Sequence, residues 1–238
     1  MDTEQIIIIL FILVCCGYFI YEYLKKDKII PKNNVLDHSY YINLEHRNDR
    51  KEETLNELSK FGIHNPIRLD AIKDNVGAIG CTKSHLKILK EARKNNYPYI
   101  TIFEDDVEFL NPNETNQKLN NIINSNIEWD VILLGGNNYE PYHRINEDCI
   151  RVENCQTTTS YIVKKDYYDT LISHWEEGLQ KLIETKDEPK YALDQYWKLL
   201  QKKDNFLLII PLNVIQRDGY SDIVKQDVSY KEWMLKHN

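Results

Sequence analysis

The sequence lacks the excess of basic charge that binding to nucleic acid requires. Its 238 residues include 30 Lys and Arg against 37 Asp and Glu, which gives a net charge of -7. Because a protein that binds a phosphate backbone needs a basic surface, this balance argues against a nucleic-acid partner. Any phosphate that the protein handles is then held by a few placed groups or by a metal ion.

The signature motifs of several enzyme classes are also missing. There is no G-x-G-x-x-G and no G-x-x-x-x-G-K-[ST], so dinucleotide-binding and P-loop hypotheses lack support. Neither a G-x-S-x-G elbow nor a closely spaced Cys/His set for zinc is present. An aspartyl phosphatase would need two Asp separated by one residue, whereas Asp106 has a Glu at both such positions, Glu104 and Glu108.

A long hydrophobic run lies near the N-terminus. Residues 6–24 carry a single charge, Glu22, and the residues before them, Asp2 and Glu4, are acidic. This length is at the threshold for a membrane span and too long for the core of a signal peptide, which also begins with basic residues. We predict an uncleaved single-pass membrane anchor over residues 1–24, with a buried N-terminal helix as the alternative.

The charges around this run predict its orientation. Lys25, Lys26 and Lys28 follow it and no Lys or Arg precedes it, so the positive-inside rule places the main domain in the cytosol. A sequon at residues 113–115 would be relevant only in a secretory lumen. Among the cysteines outside this hydrophobic run, Cys149 and Cys155 are close enough in sequence to suggest a disulfide, although nothing requires one.

After a polar linker at residues 25–36, segments typical of strands and helices alternate through a domain at residues 37–238. The predicted strands are 39–44, 66–72, 99–103, 129–136 and 159–164, and the predicted helices are 49–62, 82–95, 167–183 and 191–202, the second of them starting at an N-cap, Thr82. The runs at 99–103 and 129–136 are almost continuously apolar, as expected of parallel strands covered on both faces. The sequence therefore predicts an α/β sandwich around a mostly parallel sheet.

Three consecutive acids, Glu104, Asp105 and Asp106, follow the apolar strand at 99–103. In open α/β sheets, ligands bind beyond the carboxyl ends of the strands. Hard cations such as Mg²⁺ or Mn²⁺ prefer carboxylate oxygens, and a bound cation would both neutralise the acids and hold a diphosphate. The alternative is an acidic turn that caps the next element.

Five segments occur in an order that resembles glycosyltransferase family 25, the group of lipopolysaccharide and collagen galactosyltransferases. They are YYINLEHRNDR, LDAIKDNVGAIGCTKSHLKIL, IFEDDVEF, WDVILLGG and ALDQYW followed by IIPLNVIQRDGYSDI, and together they span residues 40–223. The most specific part is GAIGCTKSH followed by FEDD. The resemblance implies a GT-A-type, Rossmann-like fold, a nucleotide-sugar donor such as UDP-galactose, and a Mn²⁺-type ion.

The resemblance also assigns roles to individual residues. It makes Asp106 the direct metal ligand and Glu104 a second ligand or a ribose contact, and it places Asp194 as the base that activates the acceptor. The residues it assigns to the donor are Asn43, Arg47, Arg50, Asp70, Lys83, Ser84 and His85. Each has an ordinary alternative: the arginines form surface ion pairs, Asn43 and Asp70 cap turns, His85 is a packing residue, and Asp194 is a surface acid.

One feature of the family pattern is missing. GT-A enzymes often take a further metal ligand, commonly His, from the C-terminal part, and here the matching loop at residues 216–223 contains no His. Gln216, Asp222 or water would have to replace it.

These observations predict an enzyme: a membrane-anchored, metal-dependent glycosyltransferase. It would move a hexose from a UDP-sugar to a hydroxyl of a glycan, a lipid-linked acceptor or a protein, with inversion. The alternative is a membrane-tethered protein with the same fold that binds nucleotide sugars or glycans without turnover. A metal-dependent phosphoesterase is a more remote third hypothesis.

Overall fold

The computed structural model of the protein describes residues 35–223 and 225–236. The predicted anchor and nearly all of the predicted linker lie outside these residues, so the anchor stays a prediction. Within the described ranges, no helix has the length and apolar character needed to cross a membrane.

Twelve strands are found in the described part of the chain. They are β1 (Ser39–Asn43), β2 (Ile67–Asp70), β3 (Tyr99–Glu104), β4 (Val107–Phe109), β5 (Val131–Asn138), β6 (Tyr142–Arg144), β7 (Cys149–Val152), β8 (Cys155–Lys164), β9 (Phe206–Ile209), β10 (Val214–Gln216), β11 (Gly219–Ser221) and β12 (Gln226–Val228). The helices of the same ranges are α1 (Asn48–Lys60), α2 (Gly77–Lys94), α3 (Pro112–Asn124), α4 (Tyr168–Thr185), α5 (Glu188–Tyr191), α6 (Leu193–Tyr196), α7 (Lys198–Gln201) and α8 (Lys231–Lys236), with a short 3₁₀ turn at Lys165–Tyr167.

Eight of the strands form one central sheet in the order β2-β1-β3-β8-β5-β9-β7-β6. Strands β2, β1 and β3 are parallel neighbours, and β5 is parallel to β9. Strand β8 lies antiparallel between β3 and β5, and β7 is antiparallel to both β9 and β6. Six strands therefore run in one direction and two in the other, which confirms the predicted α/β class with a mostly parallel central sheet.

Helices cover both faces of this sheet. On one face, Leu86 and Leu89 of α2 and Trp175 of α4 belong to a core that includes Ile100 and Val131. On the other face, side chains of α1 and α3 pack against the alternate residues of the same strands. Because successive strand residues point to opposite faces, a strand covered on both sides is apolar almost continuously, as residues 131–136 of β5 are and as β3 is apart from Thr101 and Glu104.

The predicted boundaries of two helical regions are wrong. Helix α2 begins at Gly77 rather than after Thr82, which is buried inside the helix and donates its hydroxyl hydrogen bond to the carbonyl oxygen of Ala78. The predicted helix at residues 191–202 is divided among α5, α6 and α7. Cys149 and Cys155, considered above for a disulfide, are both buried free thiols.

The short strand β4 determines where the end of the chain lies. It follows the acids directly and pairs antiparallel with β10, so Val107 lies opposite Gln216. The backbone N–H of Arg217 donates a hydrogen bond of 2.6 Å to the carbonyl oxygen of Asp106. This pairing brings the C-terminal segment over the carboxyl ends of the central strands.

Candidate functional site

Polar side chains collect at the carboxyl-terminal edge of the central sheet. Strands β1, β2 and β3 end there with Asn43, Asp70 and Glu104, and β8, which runs the other way, starts there. A cavity of about 730 Å³ opens at this edge. Its wall is formed by the ends of β1 and β3, the loop after β2, the start of α2 and the C-terminal segment.

The middle acid of the three, Asp105, is fully occupied by protein partners. Its Oδ1 lies 2.7 Å from Nη1 of Arg50, and its Oδ2 accepts a 2.8 Å hydrogen bond from Nδ2 of Asn43. Its backbone carbonyl oxygen accepts hydrogen bonds from Thr54 and Arg217. Asp105 therefore anchors the turn after β3, with both carboxylate oxygens engaged by protein donors.

Asp106 is the acid with the fewest partners. Among the described residues its buried Oδ1 has no hydrogen-bond partner, and Oδ2 has only distant ones, Gln216 Nε2 at 3.5 Å and Arg50 Nη1 at 3.6 Å. Burial and the nearby charge of Glu104 raise the pKa of Asp106 to about 7. A buried carboxylate with an unpaired oxygen is an unfavourable arrangement that a bound cation would relieve.

Glu104 is held by two donors on one oxygen. Oε1 lies 2.6 Å from Oγ1 of Thr158 and 3.2 Å from Nε2 of His85. Burial acts to raise the pKa of Glu104, but these two hydrogen bonds and the charge of Arg50 hold it below its ordinary value. Glu104 is therefore a carboxylate, and it lines the cavity.

Helix α2 brings its start and one face to the cavity. Gly77, Cys81, Ser84 and His85 line it; Cys81 lies one turn after Gly77, and the neighbours Ser84 and His85 lie one turn after Cys81. Ser84 is buried and links the loop after β2 to the helix: its hydroxyl accepts a hydrogen bond from the backbone N–H of Ile72 and donates one to the carbonyl oxygen of Gly80. The predicted N-cap Thr82 would put Ser84 and His85 in the first turn, but the helix starts at Gly77 and both residues lie beyond that turn.

Gly80 allows the loop after β2 to lie directly against α2. A Cβ at this position would come within 2.3 Å of the carbonyl oxygen of Ile72 and 3.2 Å of the backbone nitrogen of Asp74. Any side chain would push this loop, and with it one wall of the cavity, away from the helix.

The structure brings together five residues assigned to the site by the sequence. Those that line the cavity are Arg50, Ser84, His85, Glu104 and Asp106. Asn43 lies directly behind them, buried against Asp105. In contrast, Arg47 pairs with Asp49 and Asp222, Asp70 with Arg68, and Lys83 with Asp74, and none of these three predicted residues lines the cavity.

Asp194 lies in α6, outside the cavity wall but close enough to interact electrostatically with Glu104. Its Oδ2 accepts hydrogen bonds from the backbone N–H of Thr157 at 3.0 Å and from Gln195 at 3.2 Å. Burial, together with the charge of Glu104, raises the pKa of Asp194. Thr157 presents its N–H from a left-handed backbone conformation with φ of 83°, which is costly for a β-branched residue.

Several cavity residues were missed by sequence reasoning, or considered only as replacement ligands. Gln216, Asp222 and Tyr230 reach the cavity from the C-terminal segment. Thr158 and Tyr161 contact Glu104 and His85 from β8, whose sequence is that of an ordinary buried strand. No local pattern distinguishes them, since their role depends on β8 lying next to β3.

Cys81 forms a second cluster that could hold a metal ion. Its sulfur, a ring nitrogen of His85 and a carboxylate oxygen of Glu104 all lie within 4.8 Å of one another. Burial and the charge of Glu104 raise the pKa of the Cys81 thiol well above its ordinary value. Moreover, the Nε2 of His85 is already engaged by Glu104. This cluster therefore favours a neutral thiol over a metal-binding thiolate.

Known proteins resemble the part of the chain that contains Cys81, His85 and Glu104. The model of glycosyltransferase family 25, described as an LPS biosynthesis protein family, matches residues 75–187. Procollagen galactosyltransferase 1-A of Xenopus laevis is 28% identical over 138 residues, which cover 44% of this chain and 22% of that protein. The chain thus spans about a fifth of that relative's length. These matches confirm the predicted resemblance to family 25 and support a glycosyltransferase.

Solved structures show a more distant likeness. The protein A197 from STIV aligns with a TM-score of 0.41 and 13% identity over 80% of this chain and 93% of that one. A glycosyltransferase involved in the glycosylation of the major capsid of PBCV-1 aligns with a TM-score of 0.39 and 13% identity, covering 73% of this chain and 93% of that one.

Proposed function

We propose that this protein is a metal-dependent glycosyltransferase of GT-A type. It transfers a hexose, with galactose as the first candidate, from a UDP-sugar to a hydroxyl of a glycan, lipid-linked or protein acceptor. The observation that carries the proposal is the buried, unpartnered Oδ1 of Asp106 beside the Glu104 carboxylate, at the wall of a cavity large enough for a nucleotide sugar.

The charges of the cavity favour a cation as part of the donor site. Among the acids in the wall, Asp105, Asp74 and Asp222 each have a close cationic partner. Among the described residues, the nearest cationic group to Asp106 is Arg50 at 3.6 Å, and the only possible cation paired with Glu104 is the imidazole of His85. A diphosphate entering this negative field would be repelled unless a cation neutralised it.

Asp106 and Glu104 are the residues that would hold this ion. Their carboxylate oxygens suit Mn²⁺ or Mg²⁺, and the amide of Gln216 is close enough to contribute a further oxygen after rotation. When bound, such an ion stabilises negative charge on the leaving diphosphate. The matching loop at residues 216–223 contains no His for this role, since His237 lies beyond it, and Gln216 is our candidate for the replacement.

The start of α2 is the second part of the proposed donor site. Gly77 lines the cavity at the first turn of an 18-residue helix, where unpaired backbone N–H groups favour anions. Arg50 lines the same cavity and lies between the acids and the backbone of Tyr220. These groups would bind and orient the diphosphate at the wall of the same cavity, with Arg50 directly beside the acids.

Asp194 is the proposed base. Its carboxylate would accept the proton of the acceptor hydroxyl while the hydroxyl oxygen bonds to the anomeric carbon and the bond from that carbon to the phosphate oxygen breaks. The leaving nucleoside diphosphate takes the bonding electrons. A pKa raised by burial makes Asp194 a stronger base than an exposed aspartate. Attack from the face opposite the phosphate would invert the configuration at that carbon.

The membrane remains part of the proposal through residues 1–24. An anchor there would hold the catalytic domain next to lipid-linked or membrane-protein acceptors, on the cytosolic side if the flanking lysines decide orientation.

A donor panel tests the proposed function. The full-length chain would be incubated with UDP-, GDP- and other sugar nucleotides in Mn²⁺ or in EDTA, and release of nucleoside diphosphate would be followed. We expect slow, Mn²⁺-dependent release from one donor. If no donor were turned over and UDP with Mn²⁺ failed to raise the melting temperature, the donor site would be refuted. Donor binding without product across many acceptors would favour the non-catalytic alternative.

A further inference from the structure

A buried chain of hydrogen bonds leads from the core to Glu104. The hydroxyl of Tyr161 lies 2.7 Å from Nδ1 of His85, and Nε2 of His85 lies 3.2 Å from Oε1 of Glu104. Both Tyr161 and His85 are completely inaccessible to solvent. The Tyr161 ring is fixed by edge contacts with Trp175 and Trp197 and by stacking against the His85 ring.

The direction of these hydrogen bonds follows from the donors available. Among the described residues, the Tyr161 hydroxyl has a single hydrogen-bond partner, Nδ1 of His85. A buried O–H group without an acceptor is costly, so Tyr161 must donate to this nitrogen. Nδ1 is therefore an acceptor without a proton, and the ring proton of the neutral imidazole is on Nε2.

This tautomer determines which oxygen of Glu104 is available. The Nε2–H of His85 and the hydroxyl of Thr158 both donate to Oε1. Two donors on one oxygen fix the carboxylate plane and leave Oε2 for the cavity. With Nδ1 protonated instead, Nε2 would face a carboxylate oxygen with no hydrogen between them.

We infer that Tyr161 is a positioning residue for the donor site. Its hydroxyl selects the His85 tautomer that orients Glu104 with Oε1 toward the protein and Oε2 toward the bound cation or ribose. The inference rests on the proposed function for the role of Glu104, but the tautomer exists in the protein alone and is measured without substrate.

The first experiment is ¹⁵N NMR of protein labelled at its 7 histidines. Under mildly alkaline conditions, long-range correlations distinguish protonated from bare ring nitrogens, and the His85 signals are identified by their loss in His85→Gln. We expect a single Nε2–H tautomer in the wild type and a mixture in Tyr161→Phe. A wild-type Nδ1–H tautomer would overturn the inference, whatever the enzyme's activity.

The second experiment measures the affinity of UDP with Mn²⁺ by calorimetry. Tyr161→Phe keeps the ring and loses only the hydroxyl, and we expect about 10- to 100-fold weaker binding, the usual cost of losing a group that orients a metal ligand. Tyr167→Phe is the matched control. Its buried hydroxyl donates to Oδ2 of Asp204 at 2.6 Å, away from the cavity. The control should lose stability without losing affinity.

The outcomes separate the inference from the proposed function. Equal loss of affinity in both Phe variants would indicate a general effect on folding and overturn the positioning role. Unchanged affinity and tautomer in Tyr161→Phe would do the same. A wild type that bound neither UDP nor Mn²⁺ would refute the proposed function, and the histidine spectrum would then still decide the hydrogen-bond directions.

Discussion

Arg50 and Asp105 form a close ion pair, with Nη1 2.7 Å from Oδ1, whereas the same nitrogen lies 3.6 Å from Oδ2 of Asp106. The pair divides the three neighbouring acids by role. Asp105 is neutralised by protein groups and holds the turn after β3, while Asp106 remains largely unpaired. The repulsion expected of three adjacent carboxylates is therefore only partly relieved within the described structure. The part that remains acts on Asp106.

We predict that Asp106→Asn abolishes donor turnover without unfolding the protein. Loss of a direct cation ligand should reduce the rate of nucleoside diphosphate release at least about 100-fold. Because a buried charge is removed, the melting temperature in EDTA should stay the same or rise. The control is Glu108→Gln, two residues away and paired with Lys231. Full activity in Asp106→Asn would refute the metal assignment.

Binding of Mn²⁺ should weaken in mild acid. The pKa of Asp106 is raised to about 7, and a protonated carboxyl group cannot bind the ion. The apparent dissociation constant, measured by calorimetry, should rise about tenfold per pH unit below this value and level off above it. A pH-independent affinity between pH 5 and 8 would count against Asp106.

Stability without metal should show the opposite trend. Since the folded-state pKa of Asp106 is above the ordinary value of 3.8, the native state binds more protons between these two values. The free energy of unfolding in EDTA should therefore fall as pH rises from about 4 to about 7 through this group. Urea titrations should show a smaller fall in Asp106→Asn than in the wild type.

Replacement of Cys81 distinguishes the two possible positions of the cation. If Asp106 and Glu104 hold the ion, Cys81→Ser should keep its Mn²⁺ affinity within about twofold, because a half-buried free thiol acts as a small packing group. Loss of metal-dependent activity in a folded Cys81→Ser protein would instead place the ion at the cluster of Cys81, His85 and Glu104.

Asp194→Asn should affect the chemical step more than donor binding. The amide oxygen of the asparagine can take the place of Oδ2 and still accept the N–H of Thr157, so the local fold should persist, while loss of the base should lower kcat about 100- to 10,000-fold. KM for the donor should change little. The exposed Asp187→Asn, from the same segment, is the control. An unchanged kcat in Asp194→Asn would remove this residue from the mechanism.

The strained backbone at Thr157 gives a prediction about stability. Both Thr157→Ala and Thr157→Gly lose the hydrogen bond that Oγ1 accepts from Asn137, but only glycine relieves the left-handed conformation. The glycine variant should therefore be more stable than the alanine variant by about 1 kcal/mol. Equal free energies of unfolding would show that the conformation carries little strain.

The sequence predicted the strand that delivers the acids because local and global signals agree there. A strand that is covered by helices on both faces is apolar, and its carboxyl end can carry functional acids. The apolar run before Glu104 fits this description, and β3 ends at Glu104. It failed at the start of α2, which was predicted at Thr82 and lies at Gly77. Gly80 lies inside the helix because the loop carrying Ile72 packs directly on it, and that contact is not local in sequence.

Site residues supplied from a distance were harder to predict. Tyr230 and Gln216 reach the cavity only because β10 pairs with β4, more than 100 residues earlier in the chain. Conversely, Lys83 has the type and spacing of a phosphate ligand, yet an ion pair with Asp74 holds it outside the cavity wall. Residue type suggests which chemistry a side chain can perform, but its tertiary contacts decide whether it reaches the cavity.

The pairing of β4 with β10 also has a consequence for how the protein matures. A nascent chain that has reached Asn205 already contains most strands of the central sheet, but it lacks β9 and every cavity residue from the C-terminal segment. The acids at the end of β3 are thus among the earlier parts to leave the ribosome, and the groups that enclose them are among the last. Premature termination near the C-terminus would leave most of the central sheet in place and expose the acids at the end of β3 to solvent.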